Sequence, residues 1–386
     1  MKIGFDARLI NETGVGRYIR NLLPRLIQKN KKNKWIITVR NEERSILEYV
    51  VSPYKDQVKI IEVNVRWHSF MEQLIIPIVF YKEGVDLLHV PYINVPVLFF
   101  KKMFVTIHDL TVLTNKTGRA STLNFLFYYI RRLGYFLALK KALRSAVIFV
   151  VTHSVKNEIL DKFPKVDAGK IIVSYNGVSK FKLKKSNSLA SLMSKSMPYF
   201  FYVGNAHPHK NLEFLIDTLD KFFKRFPKYS LIIAGRMDYF MRRLRSSIHE
   251  KVSKNNFIFI ESPADSELYS LYKNSCLVIL PSLKEGFGMQ ILEAMSAETL
   301  LVCSNIPAYR EVGNNLCFYF DPESKRSLVL AINKALKTKK NEKIALFKKY
   351  RANLKRFNWE QTAKEVLDAY VDKKNVTRGK RLVFRN

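Results

Sequence analysis

Residues 277–295, LVILPSLKEGFGMQILEAM, form the most informative pattern in this chain. The apolar run Leu277–Leu280 predicts a strand, a turn with two glycines follows, and apolar residues then recur at helical spacing. Glycines let a backbone approach a ligand closely, and a helix N-terminus offers unpaired N–H groups and partial positive charge, which suit phosphate. Glu285 and Glu293 stand on either side of the helix start. Our hypothesis is that this turn holds a sugar by its diphosphate tether.

The two glutamates also raise an alternative, because paired carboxylates catalyse glycoside hydrolysis. On one helix Glu285 and Glu293 would lie about 12 Å apart, farther than the roughly 5 to 9.5 Å of hydrolase pairs. With Glu285 in the turn the separation is open, but Gly286-Phe287-Gly288 then favours phosphate binding. Glu293, about one turn into the helix, is placed to accept hydrogen bonds from both hydroxyls of a ribose.

Short apolar runs alternate with helical patterns along most of the chain. Continuous Val/Ile/Leu runs of this kind indicate parallel strands covered on both faces. We therefore predict an α/β protein with two doubly wound, Rossmann-like domains facing a cleft. The predicted strands are Ile3–Phe5, Trp35–Val39, Val58–Val63, Leu87–Val90, Phe104–Ile107, Val147–Val151 and Ile171–Val173 in the first domain, and Pro198–Gly204, Ser230–Gly235, Phe257–Ile260, Cys276–Leu280 and Leu300–Cys303 in the second.

The domain boundaries follow from changes in composition. Residues 181–197 are rich in Lys and Ser and poor in β-branched residues, so we predict a linker between an N-terminal domain, 1–180, and a C-terminal domain, 198–355. Residues 356–386 form a helical, basic tail that can pack back on the N-terminal domain. The first residues, MKIGFDA, are too few and too polar for a signal peptide and predict the first strand.

The charge is unusual for a chain of 386 residues: 66 Lys and Arg against 33 Asp and Glu give a net charge of +33. Such a field implies an anionic partner, which could be nucleic acid, lipid headgroups or a phosphorylated substrate. A solvated basic surface is the alternative. No apolar run reaches the roughly 18 to 20 residues of a membrane span. The three cysteines lack CxxC spacing, which favours reduced thiols in the cytoplasm.

One stretch concentrates this charge, since residues 110–157 contain no Asp or Glu. Residues 123–144 have a helical pattern with many aromatic side chains. Basic residues on one side of its helical wheel are Arg119, Lys140, Lys141 and Arg144, while Arg131 and Arg132 fall elsewhere. Two interpretations stay open: a basic, aromatic surface that rests on a membrane, or a core helix with solvated lysines.

Two candidate sites lie in the N-terminal domain. Gly14-Val-Gly16 follows the first strand, but the third glycine of the dinucleotide fingerprint is missing. It is either a plain tight turn or a loop that touches a phosphate. His108 follows the strand Phe104–Ile107 and so lies at the edge of the sheet where ligands gather. A single histidine is more often structural than catalytic, but this position favours a functional role.

The first loop of the C-terminal domain carries Lys210, placed before a helix pattern and after Gly204, where its ammonium can meet phosphate. Arg236 is a second cation at a strand end. His207 and His209 could suggest a metal, but no third ligand of suitable spacing is near. The sequence has no P-loop, HExxH or GxSxG motif. It also has no Asp-x-Asp, so we expect a metal-free site in which Lys210 and backbone amides neutralise a diphosphate.

These segments together resemble family four of the retaining glycosyltransferases, which have the GT-B fold. The resemblance rests on Glu285-x7-Glu293 with Gly-Phe-Gly between, and it covers nearly the whole chain in the right order. The other segments that carry it are Gly14–Tyr18, Thr106–Leu110, Asn176–Val178, Tyr202–Asn211, Ala234–Arg236, Leu292–Met295, Pro307–Gly313 and Phe320–Pro322.

The resemblance implies that the C-terminal domain binds a nucleotide sugar and the N-terminal domain binds the acceptor. It implies that Lys210 stabilises the leaving diphosphate, that Glu285 contacts the sugar ring, and that His108 lies near sugar and acceptor. The donor-binding residues that it implies are Glu293 on the ribose, Gly14 and Gly16 at the diphosphate, and Asn205, Arg236, Gly286, Phe287, Gly288 and Met289. Asn205 stands where many members carry a phosphate-binding arginine, for which Arg236 or Arg17 could compensate.

The family therefore implies a retaining hexosyltransferase without a metal cofactor. GDP-mannose is the first expectation for its donor and a UDP-linked sugar the alternative. The expected acceptor is lipid-linked or polysaccharide, in the synthesis of a surface glycan such as lipopolysaccharide, and the expected location is cytoplasmic, at the inner face of the cell membrane. The other hypotheses are a basic nucleic-acid-binding protein, for which we find no base-stacking module, an epimerase or phosphorylase of similar fold, and an inactive member of the family.

Overall fold

The computed structural model describes residues 1–65, 69–114, 125–178 and 197–372. The chain divides into two compact units, Met1–Gly177 with Asn358–Asn386, and Val178–Phe357. The predicted linker, 181–197, lies outside the described residues except for Met197. The same holds for Arg119 in the basic stretch and for residues 373–386 of the predicted tail.

The first unit is built on one parallel sheet. Its strands are β1 (Lys2–Asp6), β2 (Lys34–Val39), β3 (Val58–Glu62), β4 (Leu87–Val90), β5 (Lys102–Ile107), β6 (Val147–Val150) and β7 (Ile171–Val173). Its helices are α1 (Gly14–Lys29), α2 (Arg44–Val51), α3 (Phe70–Lys82), α4 (Thr111–Thr114), α5 (Phe125–Ala142) and α6 (His153–Lys162). The seven strands lie in the order β3-β2-β1-β4-β5-β6-β7.

The second unit repeats this architecture with six parallel strands. They are β8 (Tyr199–Val203), β9 (Ser230–Gly235), β10 (Phe257–Glu261), β11 (Leu277–Leu280), β12 (Leu301–Ser304) and β13 (Phe318–Phe320). The helices are α7 (Leu212–Arg225), α8 (Tyr239–Ser247), α9 (Asp265–Asn274), α10 (Met289–Ser296), α11 (Pro307–Gly313), α12 (Lys325–Leu336) and α13 (Lys340–Leu354). The strand order is β10-β9-β8-β11-β12-β13. Two parallel, doubly wound sheets confirm the predicted fold class.

Burial explains why the strands could be found from composition alone. All four residues of β4 and of β11 are buried, because helices cover both faces of each sheet. Strand β13 escaped prediction for the opposite reason. It has only three residues, lies at the edge of its sheet and is partly exposed, so it gives no continuous apolar run.

The last described helix, α14 (Trp359–Val371), belongs to the first unit although it follows the second in sequence. It packs against α1, and Glu360 pairs with Arg25 and Lys29 of that helix. The Tyr370 hydroxyl lies 2.6 Å from Nδ1 of the buried His89. The chain therefore crosses twice between the two units, at Gly177 and before Asn358.

Because His89 is buried, protonation of its imidazole would destabilise the packing of α14 on the first sheet. Thr106 Oγ1 lies 2.9 Å from its Nε2, so both ring nitrogens have hydroxyl partners. Desolvation lowers the pKa of His89 to about 3. The imidazole is therefore neutral at physiological pH, and its contribution to folding falls as the pH drops from about 6.5 towards 3.

Gly177 tests how tightly α14 is packed. A Cβ on Gly177 would overlap the backbone nitrogen and the ring of Trp359, whereas a Cβ on Gly134 in α5 would meet nothing within 4 Å. We expect Gly177→Ala to destabilise the protein by about 1–3 kcal/mol through overpacking. Gly134→Ala should leave stability unchanged or raise it by up to about 1 kcal/mol through helix propensity. Differential scanning fluorimetry of both variants measures this, and equal melting temperatures would contradict the described packing.

Candidate active site

The candidate site lies where the second sheet reverses its direction of winding. From β8 the chain moves outward to β9 and β10, and it then returns to β11 on the other side of β8. Loops that leave such neighbouring strands diverge and leave room for a ligand at their carboxyl ends. The loop after β8 contains Lys210, and the loop after β11 contains Glu285. A backbone hydrogen bond from Leu283 N to His209 O, 2.8 Å, joins the two loops.

An ion pair between Lys210 and Glu285 is the centre of this arrangement. Lys210 Nζ lies 2.5 Å from Glu285 Oε1, and each side chain is only 12% exposed. The same carboxylate oxygen accepts hydrogen bonds from Ser282 Oγ, at 2.8 Å, and from the Tyr309 hydroxyl, at 3.1 Å. One oxygen of Glu285 thus receives one charged and two neutral donors.

Gly288 shapes the turn between the two glutamates. It has a positive φ of 96° and precedes the first residue of α10. A side chain there would also lie 2.7 Å from Cε1 of Tyr309. Phe287, beside it, is buried and packs on Phe357. The turn therefore places the N-terminus of α10, which begins at Met289, directly after the Glu285 loop, as the glycine pattern predicts.

Glu293 lies inside α10 and is 4% exposed. The hydroxyl of Tyr272, on α9, donates to its Oε2 at 2.6 Å. Tyr272 is itself fully buried and packs edge-on against Phe201 of β8. The carboxylate is thus held by a rigid aromatic side chain, whereas Glu285 is held in a loop by a cation and two hydroxyls.

The other predicted residues of the second unit, Asn205 and Arg236, lie in the loops that follow β8 and β9. Asn205 uses its side-chain oxygen to accept from His207 N, 3.4 Å, and its carbonyl accepts from the Tyr202 hydroxyl, 2.7 Å. Burial lowers the pKa of His207, whose ring packs on Phe240. Arg236 follows β9, the strand next to β8. Among the described residues, no group of three His, Cys, Asp or Glu side chains is arranged to hold a metal.

The remaining predicted residues lie in the first unit. His108 follows β5, and its Nε2 lies 3.0 Å from the carbonyl oxygen of Pro91. Tyr18 of α1 meets its ring edge-on, at 4.9 Å between centroids. Burial lowers the pKa of His108. The neutral ring therefore donates from Nε2 to Pro91, which leaves Nδ1 as a hydrogen-bond acceptor.

Gly14 and Gly16 differ in what they require. A Cβ on Gly16 would overlap the carbonyl oxygen of Ile10, while one on Gly14 would meet nothing within 4 Å. Helix α1 begins at Gly14, so Gly16 allows its first turn to pack on the preceding loop. The packing alone accounts for Gly16, and a contact of either glycine with phosphate stays a prediction.

Three residues of the site were missed by the sequence analysis: Ser282, Tyr309 and Tyr272. Tyr309 and Tyr272 have the spacing of ordinary core aromatics in short helices, and only their hydroxyls distinguish them. Ser282 could have been found, because it lies two residues after the strand β11, at the edge where ligands bind.

Residues 185–374 match the protein family described as "Glycosyl transferases group 1". This segment contains Lys210, Glu285 and Glu293. The matched residues belong to the glycosyl transferases group 1 family. The matched segment contains both loops of the site and all six strands of the second sheet.

Curated relatives agree with this family. The O-antigen chain mannosyltransferase RfbU of Salmonella typhimurium is 30% identical over 241 residues, 60% of this chain and 64% of that protein. A GDP-mannose:cellobiosyl-diphosphopolyprenol alpha-mannosyltransferase of Xanthomonas oryzae is 27% identical over 229 residues, 56% of this chain and 57% of that protein. The matched segment thus spans less than two thirds of either relative.

Solved structures share the fold over almost the full chain. A glycosyltransferase from Rickettsia africae has a TM-score of 0.68 at 18% identity, with 97% of this chain and 98% of that chain covered. HepE of Anabaena, solved in complex with UDP-glucose, has a TM-score of 0.73 at 15% identity, with 96% and 99% covered. With two Rossmann-like domains, the chain has the GT-B fold.

The bond between Tyr272 and Glu293 can be tested by stability alone. Tyr272→Phe removes a donor to a buried carboxylate, which costs about 1.5–3 kcal/mol. Tyr199→Phe is the matched control, because the buried Tyr199 donates to the neutral carbonyl of Leu271 at 3.0 Å; its cost should be about 0.5–1.5 kcal/mol. Urea unfolding followed by intrinsic fluorescence measures both. Equal losses would show that Glu293 does not depend on this hydroxyl.

Proposed function

We propose that this protein is a retaining glycosyltransferase that moves a hexose from a nucleotide diphosphate to a glycan or lipid-linked acceptor. The observation that carries the proposal is the Lys210–Glu285 pair beside the N-terminus of α10, with Glu293 inside that helix, all within the segment that matches the family. A cation and a helix N-terminus suit a diphosphate, and a carboxylate in the adjoining helix suits the hydroxyls of a ribose.

GDP-mannose is the donor that we propose. Support comes from the two curated relatives, one an O-antigen mannosyltransferase and one described as using GDP-mannose on a diphosphopolyprenol-linked acceptor. A UDP-sugar is the competing choice, since the structural neighbour HepE was solved with UDP-glucose. By analogy with the relatives, the acceptor is an O-antigen or another lipid-linked surface glycan.

The proposed reaction uses the charges of the second unit. The bond between the anomeric carbon and the diphosphate oxygen breaks, and the acceptor hydroxyl forms a bond to that carbon on the same face. A phosphate oxygen takes the proton of the hydroxyl, so no protein base is required. Lys210 and the first amides of α10 stabilise the negative charge that develops on the diphosphate. We propose that these groups do so without a metal.

Lys210→Ala tests the assignment directly. Loss of this cation should lower kcat by roughly 10²–10³-fold, the typical effect of removing one donor to a developing anion. Release of GDP from GDP-mannose with an acceptor glycan is the measurement, and UDP-glucose and UDP-GlcNAc run in parallel identify the donor. Lys254→Ala, at an exposed position of the same unit, is the control and should keep wild-type turnover.

We expect Lys210→Ala to fold, because Glu285 keeps the hydrogen bonds from Ser282 and Tyr309 when Lys210 is truncated. Wild-type turnover in folded Lys210→Ala protein would overturn the role of this lysine. Absence of turnover in the wild type with every nucleotide sugar would overturn the proposed function.

We also propose that the first unit rests on an anionic membrane surface. No helix among the described residues is both long and apolar enough to cross a bilayer, so contact would be peripheral. The first unit exposes large apolar side chains, which we call the apolar face: Ile78, Tyr81, Leu98, Phe100, Leu133, Phe136 and Leu137. Phe100 is 72% exposed and Leu133 61%. Neighbouring exposed apolar side chains of this kind are typical of an interaction site.

Contacts within the apolar face join its parts. The Phe100 amide donates to the Tyr81 hydroxyl at 2.7 Å, which connects the loop before β5 with α3. Lys141 Nζ lies 4.6 Å from the centre of the Phe100 ring, which connects this loop with α5. Burial and the charge of Arg144 lower the pKa of Lys141, so an anionic headgroup nearby would stabilise its charged form.

The charges around the apolar face favour lipid over another protein as its occupant. Residues 110–157 supply no carboxylate, and Lys140 and Arg144 are exposed at the end of α5. Lysine and arginine can keep their charge at the headgroups while their apolar stems lie along the membrane surface. Leu133, Phe136 and Leu137 fall on the same side of α5 as Lys140, so the apolar stem of this lysine can lie beside them at a membrane surface.

Vesicle sedimentation tests this surface. The protein should bind vesicles of phosphatidylcholine with phosphatidylglycerol, and binding should weaken without phosphatidylglycerol or at high salt. Lys140→Glu/Lys141→Glu should weaken binding by more than about tenfold, and Leu133→Ser/Phe136→Ser should weaken it as well. Lys348→Glu/Lys349→Glu, an equal change of charge at exposed positions of the second unit, is the control. Equal binding by the three variants would contradict the proposal, as would preferential binding of a DNA fragment at physiological ionic strength.

A further inference from the structure

Two hydroxyl groups hold the Glu285 carboxylate, and the proposed reaction assigns no role to either of them. Tyr309 and Ser282 are both 1% exposed, and both donate to Glu285 Oε1. The Tyr309 hydroxyl also lies 3.1 Å from Ser282 Oγ, so its single proton is shared between Ser282 and the carboxylate, and the three groups form a closed triangle. No substrate atom is needed to assemble this triangle.

Tyr309 is itself held from two directions. Its ring packs over Gly288, where a side chain would collide with it. Its carbonyl oxygen accepts from the Tyr319 hydroxyl at 3.0 Å, which ties α11 to strand β13. The hydroxyl stays protonated and can donate, because burial and the charge of Glu285 raise the pKa of Tyr309 well above its usual value.

Charge balance shows why such a support is needed. In the described state Lys210 neutralises Glu285. In the proposed reaction the same ammonium must face a diphosphate, which draws it away from the carboxylate. A largely buried carboxylate that loses its cation is costly unless hydrogen-bond donors remain. Ser282 and Tyr309 are the neutral donors that remain.

We propose that Tyr309, together with Ser282, is a positioning residue that holds the Glu285 carboxylate in place when Lys210 turns to the diphosphate. The proposal rests on the proposed function of this site, and it assigns to Tyr309 a role beyond filling the core. Glu285 keeps a fixed place beside the sugar, while Lys210 is the member of the pair that moves.

The test compares Tyr309→Phe, Ser282→Ala and the double variant with the wild type. Tyr309→Phe keeps the ring against Gly288 and removes only the hydroxyl. We expect kcat to fall on the order of tenfold for each single variant and further for the double variant. The KM for the donor should change less, because Lys210, Glu293 and α10 still bind the nucleotide. Tyr199→Phe, which removes a buried hydroxyl of the same unit, should keep wild-type kcat.

The split between kcat and KM separates positioning from a merely structural role. A misplaced Glu285 carboxylate should lower kcat while the KM for the donor changes little, and Tyr199→Phe should leave both unchanged. A core defect would lower the melting temperature without this split.

Each outcome decides the question. An active wild type with unchanged kcat in folded Tyr309→Phe overturns the positioning role and leaves the proposed function standing. If Tyr309→Phe does not fold, Ser282→Ala carries the same test, because it removes the other neutral donor. A wild type without transfer activity towards any nucleotide sugar overturns the proposed function, and the inference with it.

Discussion

The candidate site of the second unit is built around the ion pair between Lys210 and Glu285. A salt bridge with both side chains largely buried is stable only if further hydrogen bonds compensate for lost water. Here the compensation falls on one carboxylate oxygen, which Ser282 and Tyr309 also reach. The pair can form because β8 and β11 are neighbours, although 73 residues, from 204 to 276, separate them in sequence. The change in winding direction is what brings the lysine loop and the glutamate loop together.

Two carboxylates in this unit are placed in different environments, which suits two different tasks. Glu285 lies in a loop, where one of its oxygens accepts a hydrogen bond from the Lys210 ammonium. Glu293 lies in the regular helix α10 and is fixed by a phenol on a neighbouring helix. Under the proposed function, the first is suited to respond to an arriving diphosphate, and the second is suited to accept hydrogen bonds from a ribose.

The sequence was informative where local chemistry alone determines structure. The two sheets followed from continuous apolar runs, and the Glu285 turn followed from glycines before a helical pattern. Strand β13 was missed because three partly exposed residues carry no such pattern. Tyr272 and Tyr309 were missed for a different reason: their roles depend on which distant side chain their hydroxyls reach, and spacing along the chain does not encode this. Gly16 is the opposite case. The Gly14-Val-Gly16 pattern suggested a phosphate contact, but the close approach of Gly16 to the Ile10 carbonyl already explains why a glycine stands there.

The excess of basic residues limits how many of them can form ion pairs within the chain. With 66 basic residues and 33 acidic ones, at most half of the cations can have an acidic partner of their own within the chain. Several carboxylates already serve two cations each, among them Asp217, Glu298 and Glu360. The deficit is complete between residues 110 and 157, which contain no acid, and this stretch includes the exposed apolar residues of α5. Cations beside exposed apolar side chains are best satisfied by a surface that is both anionic and apolar. Neither water nor a soluble polyanion offers both, whereas a membrane with acidic headgroups does.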